Sequence, residues 1–147
     1  MPAEPVKKHS QGGVGARTLA RRLAMQALYQ WQITGQESAA LIEQFVDQCE
    51  NKRTDLDYFK QLLSHSIAQL DELKSTLEPY LGIPYTKLDP VERSILLIAA
   101  YELSCVHEIP PRVVLNEAIE LAKRFGADQA HRFVNGVLDK LAKQARS

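Results

Sequence analysis

The chain has 147 residues, 45% hydrophobic and 24% charged, and its 18 basic and 18 acidic side chains cancel to a net charge of zero. That length and balance suit one globular domain with its own core, and exclude a collagenous, low-complexity or wholly disordered chain and a pair of catalytic domains. Two cysteines, Cys49 and Cys105, far apart and without a CxxC, imply neither a disulfide framework nor a zinc ribbon and fit a reducing cytoplasm, while the absence of an apolar signal core or of a run near the roughly 18 residues of a membrane span implies a soluble, unsecreted protein.

Residues 1–16, MPAEPVKKHSQGGVGA, lack periodicity and read as a disordered basic tail. From Arg17 to Thr34 the set Ala20, Ala24, Ala27, Leu28 and Trp31 follows helical spacing, and Gly35 supplies a stop. A second helix starts near Ser38 with Leu41, Ile42, Phe45, Val46 and Cys49 on one side, and the polar run 50–54 is a loop. A long third helix from about Asp55 carries Leu56, Phe59, Leu62, Leu63, Ile67, Leu70, Leu73 and Leu77 before Pro79 ends it. The stretch Glu78 to Pro84, with two prolines and Gly82, marks a boundary between subdomains of about 17–79 and 85–147.

Beyond it, Asp89, Pro90 and Glu92 fit an N-cap, a first-turn proline and the acid of a capping box. Ile95 to Leu103 is apolar on nearly every side, as the buried central helix of the second half should be, and Pro110 and Pro111 stop it. A helix over Val113 to Phe125, capped by Gly126, and a last one from about Asp128 to Ala142 complete the chain. With no competing strand signal, the expectation is an all-α fold of about seven helices in two packed small bundles.

The neutral total hides an asymmetry. Residues 1–35 hold five basic side chains against one acidic, residues 36–110 six against 13, and residues 111–147 seven against four. Two basic ends that meet in the fold would suit a phosphate backbone.

The residue types that carry catalysis are scattered. His9, His65, His107 and His131 fall in different segments, and Asp128 with His131 makes one DxxH where a di-iron bundle needs two. Cys105 and His107, two residues apart on a helix, would point in nearly opposite directions, and GGVG in the tail follows no strand and has no GKT or GKS. Neither an enzyme nor a cofactor is implied.

Two flanks carry more information. On the first helix the stripe Thr18, Arg22, Met25 and Tyr29 runs outside the core set, bordered by Arg21, with Arg17 in the first turn and Lys7 and Lys8 just before. Cations at a helix start oppose the macrodipole, so an anionic partner would explain them, with arginines on phosphates and Tyr29 stacked on a base. On the last helix the core set is Ala130, Val134, Val137, Leu138 and Leu141, which leaves Phe133 on the flank with Gln129, Gly136 and Lys140. Half-buried packing would account for Tyr29 and Phe133 equally well.

The segments ARRLAMQALYQWQ, VERSILLIAAYEL and above all NEAIELAKRFGADQAHRFVNGVLDK resemble the NusB family of bacterial transcription antitermination factors, and the resemblance runs from about Arg17 to Lys140. It implies a helical fold of two bundles with no catalytic activity or cofactor, which binds boxA RNA together with the ribosomal protein NusE within the RNA polymerase antitermination complex. Carried over by position, it implies RNA contacts for Arg17, Arg21, Arg22 and Phe133 with Gln129 beside them, and a NusE surface that includes Glu92, Pro110 and Pro111. Tyr29, Asn116 and Asn135 match the pattern too, and Lys140 joins the RNA set through its flank. Family members often carry further arginines where this chain has Thr18, Leu19 and Ala20. Two other readings are a protein-only adaptor and a domain associated with a ribosomal RNA methyltransferase, although the chain lacks a cofactor-binding Gly-rich turn. The oligomeric state stays open, since two copies in a homodimer could cover the same flank.

Overall fold

The computed structural model describes residues 14–145, so the expected tail falls outside them apart from Val14, Gly15 and Ala16. Among the described residues seven α-helices follow one another: α1 (Ala16–Thr34), α2 (Ser38–Gln48), α3 (Leu56–Ala68), α4 (Leu70–Leu81), α5 (Pro90–Cys105), α6 (Pro111–Phe125) and α7 (Ala130–Ala145), with a 3-10 turn over Tyr85–Lys87. None of these residues is in a strand, and no helix among them is long and apolar enough to cross a membrane.

Helix α5 organises the rest. Its start is fixed as the sequence implies, with the Asp89 carboxylate accepting from the Glu92 N–H at 2.9 Å and Pro90 in the first turn. Every residue from Ser94 to Leu103 is buried. A helix apolar all round must be enclosed, and α1, α3, α4, α6 and α7 all pack against it. Ser94 is satisfied there, donating to the Pro90 carbonyl and accepting from Gln32 Nε2, both at 2.7 Å.

Helix α1 lies close to α3 and α5 because Ala20, Ala24 and Ala27 present almost no bulk and have no exposed surface. Gly35, at φ 69, ends it in the left-handed conformation that glycine takes without strain, its N–H bonded to the Trp31 carbonyl at 2.8 Å. Trp31 itself is only half-buried. In α2, Leu41 alone is fully buried, while Ile42, Phe45 and Val46 rest on the margin of the core. In α7, by contrast, all five expected core residues are buried.

Two expectations are corrected. The long third helix is two helices, broken at Gln69 (φ −104, ψ 24), and α4 restarts with Asp71 and Glu72 in its first turn, where acids favour the helix dipole. Pro79 does not end it. The helix continues through Leu81, whose burial beneath the same surface as Leu77 holds the last turn in place until Gly82 at φ 75 closes it. Gly126 caps α6 as expected, its N–H bonded to the Ala122 carbonyl at 2.9 Å, but at an ordinary φ of −87, so what it supplies is room: a Cβ there would lie 2.7 Å from the Ala122 carbonyl oxygen and 2.9 Å from Ala130 Cβ. The close approach lets α7 fold back on α6 after a four-residue turn, and α7 begins at Ala130 instead of Asp128.

The two α7-side glycines should therefore respond oppositely to alanine. Gly126→Ala forces backbone apart and should cost about 1–3 kcal/mol, whereas Gly136, whose Cβ would meet nothing within 4 Å, should gain up to about 1 kcal/mol from helix propensity. Urea unfolding of both variants measures the two signs directly.

Candidate nucleic-acid interface

Helix α1 starts with little help from its own sequence: Gly15 gives no side-chain cap and the first turn has no acid. Arg17 stands there instead, 45% exposed, its guanidinium 4.0 Å above the Tyr58 ring and 3.9 Å from Asp55. Asp55 also caps α3 through the Tyr58 N–H at 3.0 Å, and its own N–H bonds the Ala16 carbonyl at 3.2 Å, so the starts of α1 and α3 are tied together.

One turn further on, Arg21 departs from its expected place at the border of an exposed flank. It is 4% exposed, with Nε donating to Glu102 at 2.8 Å and Nη1 lying 3.3 Å from Glu117. The Tyr58 hydroxyl donates to the same Glu102 oxygen, and Thr18 donates to Glu117 at 2.9 Å. Four helices thus meet on two carboxylates. Burial pushes the Glu102 carboxyl above the usual range, against the pull of Arg21 and Tyr58, and it raises the Tyr58 phenol still more strongly together with the charge of Glu102. Burial alone would lower the Arg21 guanidinium, but the two carboxylates outweigh it and the net direction is upward, which keeps the charge in place. Arg21 is therefore a positioning residue, withdrawn from any surface.

Met25 is also inside, at 2% exposure, so the accessible α1 flank reduces to Arg22 and Tyr29, the latter 42% exposed. Arg22 lines a cleft of about 270 Å³ between α1 and α6, facing Lys123 and Arg124 of the last turn of α6. Neither Arg22 nor Arg124 has an ion-pair partner among the described residues, and the acid deepest in the cleft, Glu117, is held by Arg21 and Thr18. On α7, Phe133 is half-buried against the core, Lys140 is exposed and Gly136 borders open space. Exposed Gln129 stands just before the helix at φ 71, a left-handed conformation that costs a non-glycine residue roughly 1–2 kcal/mol.

The two flanks do not pack extensively on each other; α5 and α6 lie between α1 and α7. What joins them is the end of α6, with Lys123 and Arg124 on one side and the tight turn to Gln129 on the other. The other expected surface is spread more widely. Glu92 sits in the first turn of α5, where burial and Asp89 push its carboxyl upward, whereas Pro110 and Pro111 open α6 beyond the opposite end of the same helix, about 24 Å away by its length.

Sequence reasoning missed the carboxylate network and the cations of α6. The network was signalled: Glu102 is the lone charge within the apolar run of α5, and a charge at such a position needs a partner. The α6 cations, at the C-terminal end where they suit the helix dipole, carried no distinguishing mark. No group of three or more His, Cys, Asp or Glu among the described residues could hold a metal ion.

The model of the NusB family matches residues 18–143. Relatives include the transcription antitermination protein NusB of Nitrosococcus oceani, 50% identical over 131 residues covering 89% of this chain and 88% of that protein. The protein of the same name from Idiomarina loihiensis is 46% identical over 125 residues, covering 85% and 90%. Among solved structures, one of antitermination factors NusB and NusE in complex with dsRNA superposes with a TM-score of 0.77 at 29% identity, covering 86% of this chain and 96% of that one. T. maritima NusB gives 0.77 at 28%, covering 91% and 96%.

The buried pair yields a sharp expectation. Arg21→Ala strands the Glu102 carboxylate in the core and should cost about 3–5 kcal/mol, and Glu102→Ala should cost less, because Arg21 keeps Glu117 at 3.3 Å. Arg21→Met with Glu102→Leu should cost less than Arg21→Met and Glu102→Leu summed, since the most deeply buried pair leaves together and the part-exposed Glu117 keeps its hydrogen bond from Thr18; a double-mutant cycle of these variants by urea denaturation checks this.

Proposed function

This chain belongs to the NusB family of transcription antitermination proteins, and from that premise we propose that it is a non-enzymatic adaptor that binds boxA-type leader RNA together with NusE and suppresses termination, notably in ribosomal RNA operons. The observation that carries this reading is the pair of cations Arg22 and Arg124, without ion-pair partners among the described residues, in one cleft whose two acids are engaged elsewhere, Glu117 by Arg21 and Thr18 and Glu120 by Lys123. Arg17, in the first turn of α1, stands where helix stability does not favour a cation.

Phosphates would be held by Arg17, Arg22 and Lys140, with bases stacked on Tyr29 and Phe133. Gln129 is well placed for a base edge, since its strained backbone sits on the surface beside Phe133's helix. Arg21 acts at one remove, by fixing how far α1 is rotated and hence where Arg22 points. Glu92, Pro110 and Pro111 would serve the NusE side, where an acidic middle segment suits a basic ribosomal protein. The cytoplasm is the compartment in which such an adaptor meets RNA polymerase and nascent RNA.

A fluorescent boxA RNA and a scrambled control, titrated at two salt concentrations with and without purified NusE, test the proposal. The expected result is a preference for boxA that tightens with NusE, together with a weakening of about 1–3 kcal/mol in Phe133→Ala through lost stacking. Arg22→Ala should weaken both RNAs alike and reduce the salt slope by about one. RNA ignored under every condition while NusE still binds would leave a protein-only adaptor.

A further inference from the structure

Helix α7 carries one residue that weakens it. Gly136 stands in its interior, where glycine is a poorer helix former than alanine. The chain itself gives no reason for it. The backbone there is helical, unlike the left-handed Gly35 and Gly82, and a Cβ at Gly136 would meet nothing within 4 Å, whereas one at Gly126 would collide. A glycine that neither a turn nor internal packing requires points to something from outside lying on the bare backbone. The place is exposed and its surroundings are positive. Arg132 stands one turn before Gly136 and Lys140 one turn after, both exposed and without ion-pair partners among the described residues. Asp139, the one acid of α7, is held by Lys143 at 3.2 Å. Half-buried Phe133 lies about 60° round the helix from Gly136, on the side toward Lys140.

We propose that the ribose–phosphate backbone of a bound RNA strand crosses α7 at Gly136, in contact with the helix backbone and between Arg132 and Lys140, which places a base against Phe133. The inference rests on the RNA reading above and adds two things to it: Arg132 as a further phosphate contact, and a requirement for bare helix surface. Attraction between phosphate and cation falls with distance. A side chain at Gly136 would lift the strand away from Arg132, Lys140 and the Phe133 ring together. Cations of one sign, a turn to either side, suit the repeating charge of a phosphate backbone. A protein segment would find little apolar surface among these residues besides Phe133.

The test titrates a fluorescent boxA RNA into the full chain, with and without NusE and at two salt concentrations, for wild type, Gly136→Ala, Gly136→Leu and Arg132→Met. The expected result is an affinity lower by about threefold for alanine and by about tenfold or more for leucine. The salt slope of both glycine variants should stay that of wild type, since no charge has gone, whereas Arg132→Met should reduce it by about one. Urea unfolding should show Gly136→Ala at least as stable as wild type, so that stability and RNA binding move in opposite directions, which a merely structural glycine does not produce. Wild type that ignores the RNA in every condition overturns the RNA reading and this inference with it. Wild type that binds, with both glycine variants binding as tightly or Arg132→Met unchanged in affinity and slope, leaves the RNA reading standing and overturns this inference alone. So does Gly136→Leu that keeps RNA but loses NusE or shifts the chain between monomer and dimer in sedimentation, which would assign the bare surface to a protein.

Discussion

The position of every exposed side chain on α1 depends on one buried charge. Glu102 lies in the middle of the most enclosed helix of the molecule, and an isolated carboxylate there would be too costly to keep ionised. Arg21 supplies the opposite charge from α1, Tyr58 a hydroxyl from α3, and Glu117 of α6 takes the second face of the guanidinium. Such a pair gains little over an apolar filling of the same volume, since desolvation offsets most of the Coulomb attraction. Its effect is directional. Leucines would let α1 roll by a fraction of a turn with modest loss, whereas one guanidinium held by a hydrogen bond to Glu102 and an ion pair to Glu117 admits one rotation.

That rotation is what the surface inherits. With Arg21 pointing inward, its neighbour Arg22 is turned by about 100°, into the cleft opposite Lys123 and Arg124. Arg17, one turn earlier on the side of Arg21, reaches only the margin, where it lies over Tyr58 and stays half in solvent. Three arginines that look equivalent in the sequence therefore end in three environments, and only burial separates them.

Regular periodicity and cap chemistry were legible in the sequence: the five core residues of α7, the Asp89 cap and the Gly35 stop all follow from local pattern. Three features had no local signature. The break at Gln69 has neither glycine nor proline and comes from the two halves of the segment, both packed on α5, differing in their other neighbours, α1 and α2 for α3 and α7 for α4. Gly126 looks like an ordinary helix terminator, and only the α6–α7 approach reveals it as a spacer. Charge summed along the chain likewise hid the meeting of Arg22 with Lys123 and Arg124, because a helical fold sorts neighbours in sequence onto different faces. The candidate surface was thus readable in its aromatic residues and only partly in its cations.

Helix α2 stands apart from this arrangement. It buries one side chain completely, packs chiefly on α1 and α3, and gives no residue to the carboxylate network. Opening energies within a protein follow such differences, from nearly zero at thinly packed elements to the full unfolding free energy at the most enclosed ones. The molecule is accordingly graded, with a slow-exchanging axis along α5 and a margin at α2 that can detach and return while the ion pair, the cleft and the rotation of α1 stay as they are.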